Sequence, residues 1–272
     1  MHMRSLGTSG IDVSALSLGT VKLGRTEGMK YPTPYDLPSD ETARALLTLA
    51  ADLGINLIDT APAYGTSEAR LGGLLREFGD RFLLSTKVGE EFEDGTSRFD
   101  FSPEYTRVSI ERSLRRLGRD ALDLVLVHSD GNDLDIIHRH GTLEALRELQ
   151  RAGKARAVGF SPKTAEGARA AVACCDVVML ALNPRDTEMA PVVREAHDAG
   201  VGVLIKKGLL SGHLDGLGGL TPEPHVDQPT DPVEACLAYL LSEPGVSSVV
   251  AGTINPAHLC HNVTAAERVL GL

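Results

Sequence analysis

The chain has 272 residues, a formal net charge of −10, and 42% hydrophobic and 24% charged residues. That length allows one large or two ordinary domains with a substantial apolar core. No basic run exceeds Arg115-Arg116 or Lys206-Lys207, which argues against a nucleic-acid partner, because phosphate binding depends on concentrated Lys and Arg. No apolar run approaches bilayer-spanning length, so no membrane partner is expected. The opening Met1-His2-Met3-Arg4-Ser5-Leu6-Gly7 lacks signal-peptide form, and a cytoplasmic protein is expected. Cys174, Cys175, Cys236 and Cys260 lack metal-ligand spacing, and the neighbours Cys174 and Cys175 are expected to be reduced thiols of the core or an interface.

In chain order, residues 4–7 and 11–14 flank Thr8-Ser9-Gly10 and predict a short hairpin, placed to plug the amino-terminal mouth of a barrel. Short Val/Ile/Leu runs then alternate with stretches of helical period, the pattern of repeated βα units. Strands are predicted at 15–19, 56–59, 82–86, 122–127, 155–159, 177–180, 201–205 and 248–251. Ser39, Ser102 and Thr164 are placed to cap helices, with Pro103 in a first turn. Gly54, Gly79, Gly118, Gly153 and Gly200 each close a helix before the next strand. Eight such units fit a single (β/α)₈ TIM barrel spanning residues 1–272. A doubly wound open sheet is the competitor, since periodicity does not show closure. Against it, no G-x-G-x-x-G follows the first strand, and Gly72-Gly73 falls inside a helix. The Gly/Pro-rich segment 211–232 reads as a long loop on the active face.

Four polar residues stand at or just beyond the ends of apolar runs: Asp59 and Tyr64 in Asn56-Leu57-Ile58-Asp59-Thr60-Ala61-Pro62-Ala63-Tyr64-Gly65, Lys87 after Leu83-Leu84-Ser85-Thr86, and His128 after Leu124-Val125-Leu126-Val127. Parallel strands would bring all four to one face. A phenol, an ammonium, a carboxylate and an imidazole are the parts of a proton-transfer site. A free phenol titrates near 10, and a lysine about 4 Å away would lower it toward neutrality. Asp59 would keep Lys87 charged, and His128 would orient a substrate oxygen. No side chain donates hydride, so this chemistry calls for a nicotinamide cofactor.

The set resembles the catalytic tetrad of the aldo-keto reductases. The resemblance covers nearly the whole chain, through Arg4-Ser5-Leu6-Gly7-Thr8-Ser9-Gly10, Leu18-Gly19-Thr20, Tyr64-Gly65-Thr66-Ser67-Glu68, Phe101-Ser102-Pro103-Glu104, Ser113-Leu114-Arg115-Arg116-Leu117-Gly118 and Val158-Gly159-Phe160-Ser161. It implies an NAD(P)H-dependent carbonyl reductase with Tyr64 as acid, Lys87 and Asp59 tuning it, and His128 placing a small-molecule carbonyl. It also implies a cofactor set of Gly19, Thr20, Ser161, Asn183, Lys206, Leu209, Ser211, Gly212, Gly252, Thr253, His258 and Asn262.

Within that set, Ser161 and Asn183 match the nicotinamide-amide positions, with Pro162 where the family has Asn. Lys206 stands where the family often has a stacking Tyr, so either stacking comes from elsewhere or the lysine serves a phosphate, and Leu209, Ser211 and Gly212 resemble the pyrophosphate loop. Gly252, Thr253 and His258 stand where better-known members offer Lys, Ser and Arg to the 2′-phosphate, and Asn262 matches the adenine contact. NADP(H) is expected over NAD(H). Loops 89–101, 129–141 and 211–232 are expected to set specificity, with small or polar carbonyls favoured by the scarcity of aromatics.

The run Asp130-Gly131-Asn132-Asp133-Leu134-Asp135 is no calcium loop, because Leu134 takes a ligand place, and no metal is expected. Two other readings stay open. Lys87 or Lys206 could form a Schiff base, as in barrel aldolases, or the barrel could bind nicotinamide as a redox sensor or docking subunit with little turnover. Oligomeric state is not legible.

Overall fold

Eight parallel strands close into a barrel in the computed structural model, which describes residues 1–29, 31–215 and 231–272. The chain opens with an antiparallel hairpin of β1 (Met3–Ser5) and β2 (Asp12–Ser14). Next come β3 (Leu16–Gly19), α1 (Asp40–Asp52), β4 (Leu57–Asp59), α2 (Ser67–Leu74) and β5 (Leu83–Val88). A second hairpin, β6 (Glu90–Glu93) and β7 (Thr96–Phe99), precedes α3 (Pro103–Leu117) and β8 (Leu122–His128). The remainder runs α4 (Asp133–His138), α5 (Thr142–Arg151), β9 (Ala155–Ser161), α6 (Ala165–Val172), β10 (Val177–Ala181), α7 (Ala190–Asp198), β11 (Gly202–Lys206), α8 (Pro232–Leu241), β12 (Ser248–Ala251) and α9 (Pro256–Val269). β12 pairs back onto β3 through Val249↔Leu16, Val250↔Ser17 and Ala251↔Leu18. That last ladder leaves the barrel no open edge and excludes the doubly wound sheet.

Local chemistry sets the helix ends. Ser39, Ser102 and Thr164 each accept a backbone N–H from three residues on, from Thr42, Tyr105 and Gly167. The five glycines predicted to close helices all adopt left-handed φ, Gly118 at +65° directly after α3.

Side chains alternate across each strand and build two apolar layers. Outward residues such as Ile58, Val125, Val158, Val178 and Ile205 pack with the helices. Inward residues Leu57, Leu124, Leu126, Ala157, Met179 and Leu204 form a separate cluster with Leu6, Ile11 and Val13. The first hairpin therefore fills the amino-terminal mouth, as expected.

Two differences from the predicted elements bear on function. Strands β5, β8, β9 and β11 run past their apolar stretches to include Lys87, His128, Ser161 and Lys206. Pairs such as Lys87↔Leu126 and His128↔Ser161 continue the ladder, because backbone pairing ignores side-chain polarity. The segment 89–101, expected as a plain loop, forms the β6–β7 hairpin. Its turn is Asp94-Gly95, with φ of +50° and +76°, the two-residue turn whose twist matches its flanking strands. Of the loop 211–232, residues 216–230 lie outside the described residues.

Candidate active site

The two-residue period of a strand decides which side chains reach the barrel interior. Stepping by two from inward Leu57 reaches Asp59, from Leu124 and Leu126 reaches His128, from Ala157 reaches Ser161, and from Leu204 reaches Lys206. On β5 the same step joins Ser85 to Lys87. All lie at carboxyl ends, so one mouth of the barrel collects them. Tyr64 arrives from the short 3₁₀ turn Pro62–Tyr64 that follows β4. The Arg25 guanidinium steadies that turn by donating to the Ala63 carbonyl at 3.0 Å.

Lys87, only 1% exposed, donates to both Asp59 oxygens at 2.7 and 2.6 Å and to the Thr60 carbonyl at 2.9 Å. Burial acts to lower its pKa, but Asp59 and Tyr64 outweigh burial and hold the ammonium above its ordinary value. Ser85 Oγ donates to Asp59 as well, at 3.0 Å. The Lys87 nitrogen sits 4.8 Å from the centre of the Tyr64 ring. Burial nevertheless pushes the Tyr64 phenol up to about 12, against the pull of Lys87. The expected lowering toward neutrality is thus reversed, because desolvation of a phenolate outweighs one ammonium already shared with Asp59.

Burial also pushes the His128 imidazole below its ordinary value; Glu90 opposes this, while Lys87 and Lys206 add to it. His128 Nδ1 lies 2.7 Å from Glu90 Oε2, yet off the line of a ring N–H, so this buried nitrogen has contact with a carboxylate but no in-line hydrogen bond. At that distance the carboxylate still acts on the ring electrostatically. For Glu90, burial acts to raise the pKa, and His128 and Ser97 outweigh it, keeping the carboxyl below its ordinary range.

Lys206 differs from Lys87 in lacking a carboxylate at contact distance among the described residues. It donates to Ser161 Oγ at 2.7 Å and to the Pro162 carbonyl at 3.1 Å. Burial, then the charges of Lys207, Lys87 and Lys163, lower it to about 7.

The other expected cofactor residues are partly spent inside the protein. Thr20 Oγ1 donates to the Asp59 carbonyl at 2.9 Å, beside Gly19. Asn183 accepts from the Arg185 amide and donates to the Lys207 carbonyl, so it joins two loops. Leu210 and Ser211 hold left-handed φ, and the amides of Leu210, Gly212 and His213 bond within the turn that includes Leu209. Of the expected pyrophosphate loop, this commits the Gly212 amide, together with those of its neighbours Leu210 and His213. Around the start of α9 the expected residues are differently placed. Gly252 is exposed, Thr253 is fixed by its bond from the Asn255 amide, and exposed His258 shares a helix face with buried Asn262 one turn on.

A pocket of about 510 Å³ opens between the segments 89–101 and 129–141, lined by Phe99, Phe101, Asp130, Asn132, Asp135 and His140 among others. No tetrad residue lines it. Asp133, in the dismissed calcium-like run, is buried and accepts from Ser129, the Lys163 amide and Thr164, which ties the segment after β8 to the one after β9. Cys174, expected in the core or an interface, is exposed just beyond α6, while Cys175 is buried.

Reading from sequence missed Glu90, Ser85 and Arg25. Asp94-Gly95 between alternating residues was the available signal for Glu90's hairpin.

A barrel that gathers a buried acid–ammonium pair, a phenol and an imidazole at the carboxyl ends of its strands is an enzyme scaffold of the oxidoreductase kind. The model of the Aldo/keto reductase family matches residues 15–271, and the chain belongs to that family. An oxidoreductase of uncharacterized specificity from Bacillus subtilis, YqkF, is 30% identical over 98% of this chain and 92% of its own length. D-threo-aldose 1-dehydrogenase from a Pseudomonas species is 30% identical over 69% of this chain and 64% of its own. The crystal structure of PA4992, a Pseudomonas aeruginosa protein described as an aldo-keto reductase, is 45% identical with a TM-score of 0.86, covering 98% of this chain and 95% of that one. Proteins of this family are oxidoreductases that use nicotinamide cofactors and act on small molecules.

Proposed function

We propose that the chain, acting as one domain over residues 1–272, reduces aldehyde or ketone carbonyls to alcohols, with NADP(H) preferred over NAD(H). The carrying observation is the buried Lys87–Asp59 pair beneath the Tyr64 ring. When bound, reduced nicotinamide supplies the hydride. Tyr64, a neutral phenol over the ordinary pH range, gives its proton to the carbonyl oxygen as negative charge develops there. Lys87 stabilises the phenolate left behind, Asp59 keeps Lys87 charged, and His128 holds the substrate oxygen. Ser161, Lys206, Gly19 and Thr20 line the nicotinamide end in this reading. Gly252, Thr253, His258 and Asn262 take the adenosine end. The preference for NADP(H) rests on exposed His258 in the first turn of α9 and exposed Gly252 just before that helix.

Small polar carbonyls, aldoses included, are the proposed substrates in a cytoplasmic setting. The test is loss of reduced-nicotinamide absorbance with a panel of small aldehydes, using NADPH and NADH in parallel. Turnover of at least one aldehyde, faster with NADPH, is expected. Flat traces with cofactor bound reject the reductase.

One observation supports a second reading. Lys206, lowered to about 7, is partly a free amine at neutral pH, the form that condenses with a carbonyl to an imine and releases water. Borohydride would trap that adduct on Lys206 and leave the persistently charged Lys87 unlabelled.

A further inference from the structure

Glu90 opens β6, and its two carboxylate oxygens face different ways: Ser97 Oγ donates to Oε1 at 2.6 Å, while Oε2 stands 2.7 Å from His128 Nδ1. No other carboxylate pairs with His128 among the described residues, and Nδ1 has no alternative partner. A neutral imidazole carries one proton, on either nitrogen. With the proton on Nε2, Nδ1 would be a second acceptor 2.7 Å from a carboxylate oxygen in a dry site, two negative partial charges at contact distance.

We propose that Glu90 is a positioning residue for His128: it keeps the imidazole proton on Nδ1, so that Nε2 is bare in the neutral ring and donates only in the imidazolium. The neutral ring then accepts a hydrogen bond from an alcohol hydroxyl, and the charged ring donates one to a carbonyl oxygen. The imidazolium is favoured by Glu90 and opposed by Lys87 from β5 and Lys206 from β11, while Lys163, after β9, acts on Glu90. Ring protonation therefore selects the direction that the site serves. The consequence for rate rests on the carbonyl reduction proposed above; the tautomer does not.

Two measurements test it. The first is nitrogen-15 NMR of histidine-labelled protein, with the His128 ring assigned by its loss in His128→Asn. The neutral His128 ring is expected to carry its proton on Nδ1, and Glu90→Gln is expected to move it to Nε2, because a carboxamide N–H can donate to Nδ1. The second is the pH profile of kcat/KM for reduction. In the native protein it is expected to fall about tenfold per pH unit above the ring's titration. Glu90→Gln is expected to flatten that limb to within about twofold, and Glu90→Asp, which keeps a carboxylate, to retain it.

A native ring protonated on Nε2 when neutral, or a ring pattern unchanged in Glu90→Gln, overturns the proposal. The native spectrum decides alone if Glu90→Gln does not fold. An Nδ1-protonated ring that responds to Glu90→Gln, in a protein that turns over no aldehyde, would sustain Glu90's role and reject the reductase reading.

Discussion

Tyr64 enters any reaction protonated, since burial outweighs the adjacent ammonium and pushes it up to about 12. Tyr64→Phe removes the proton and keeps the ring, so kcat is expected to fall by about 10²–10⁴ while cofactor affinity stays within about twofold. Equal turnover in steady-state assays would reject Tyr64 as the acid. Lys87 and Asp59 make a different kind of prediction, because both are almost fully buried. Lys87→Met leaves the Asp59 carboxylate with Ser85 as its remaining side-chain donor among the described residues, and breaking such a pair costs about 3–5 kcal/mol. The double change Asp59→Asn with Lys87→Met removes both charges and is expected to cost less than Lys87→Met alone by denaturant unfolding. A larger cost in the double variant would contradict the ion-pair account. The meeting of Asp59, Lys87 and Tyr64 at one mouth was legible, because polar residues that end apolar runs on parallel strands come to the same face. Glu90 was not, because it belongs to a hairpin that the sequence reading took for a plain loop, and its partner lies 38 positions on in the chain (128 − 90), at the end of β8, the strand that pairs with β5. The state of Tyr64 was also illegible, since it depends on how much water the fold excludes.

At the scale of elements, α2 holds two adjacent glycines with opposite surroundings. A Cβ on Gly72 would lie 1.8 Å from the Arg116 carbonyl oxygen, whereas one on Gly73 would meet nothing within 4 Å. Gly72 therefore lets α2 and the end of α3 approach backbone to side-chain-free backbone. Gly72→Ala must push the two helices apart and is expected to cost about 1–3 kcal/mol. Gly73→Ala keeps the contact and gains helix propensity, for a stabilisation of up to about 1 kcal/mol. Thermal unfolding of the two variants checks the contrast, and similar shifts for both would disprove the close crossing. Sequence placed both glycines inside a helix but had no means of telling the packed one from the open one. Strand order and period were legible for a related reason: each buried strand is written as a local apolar run. Strand ends were less so, because the ladder through Lys87, His128, Ser161 and Lys206 continues where the apolar pattern stops.

Closure of the barrel forces like charges together, and the whole molecule carries a cost for it that pH can reveal. Lys206 comes to the same mouth as Lys87, with Lys207 and Lys163 nearby, and is lowered from 10.5 to about 7. A lysine whose folded pKa lies below its unfolded one binds fewer protons when folded, so between about 7 and 10.5 the unfolded chain holds the extra proton. Stability contributed by this group therefore rises with pH through that window. Its penalty is fully present below about 7 and gone above about 10.5. Lys206→Met removes the titration while keeping an unbranched side chain in the same space. Lys206 also helps to lower the His128 imidazole, which titrates below its ordinary value, so the stability difference between the two proteins isolates Lys206 above about pH 7. The variant is expected to exceed the native protein in stability by most at pH 6, with the gap closing steadily as pH rises from 7 toward 10.5. Loss of the bonds to Ser161 and Pro162 shifts the whole curve without changing its slope, which makes slope the quantity to measure by urea unfolding at a series of pH values. A gap independent of pH would mean that the mouth of the barrel admits enough water to hold Lys206 as an ordinary surface lysine. The charge argument for this face of the barrel would then fail together with the amine reading of Lys206.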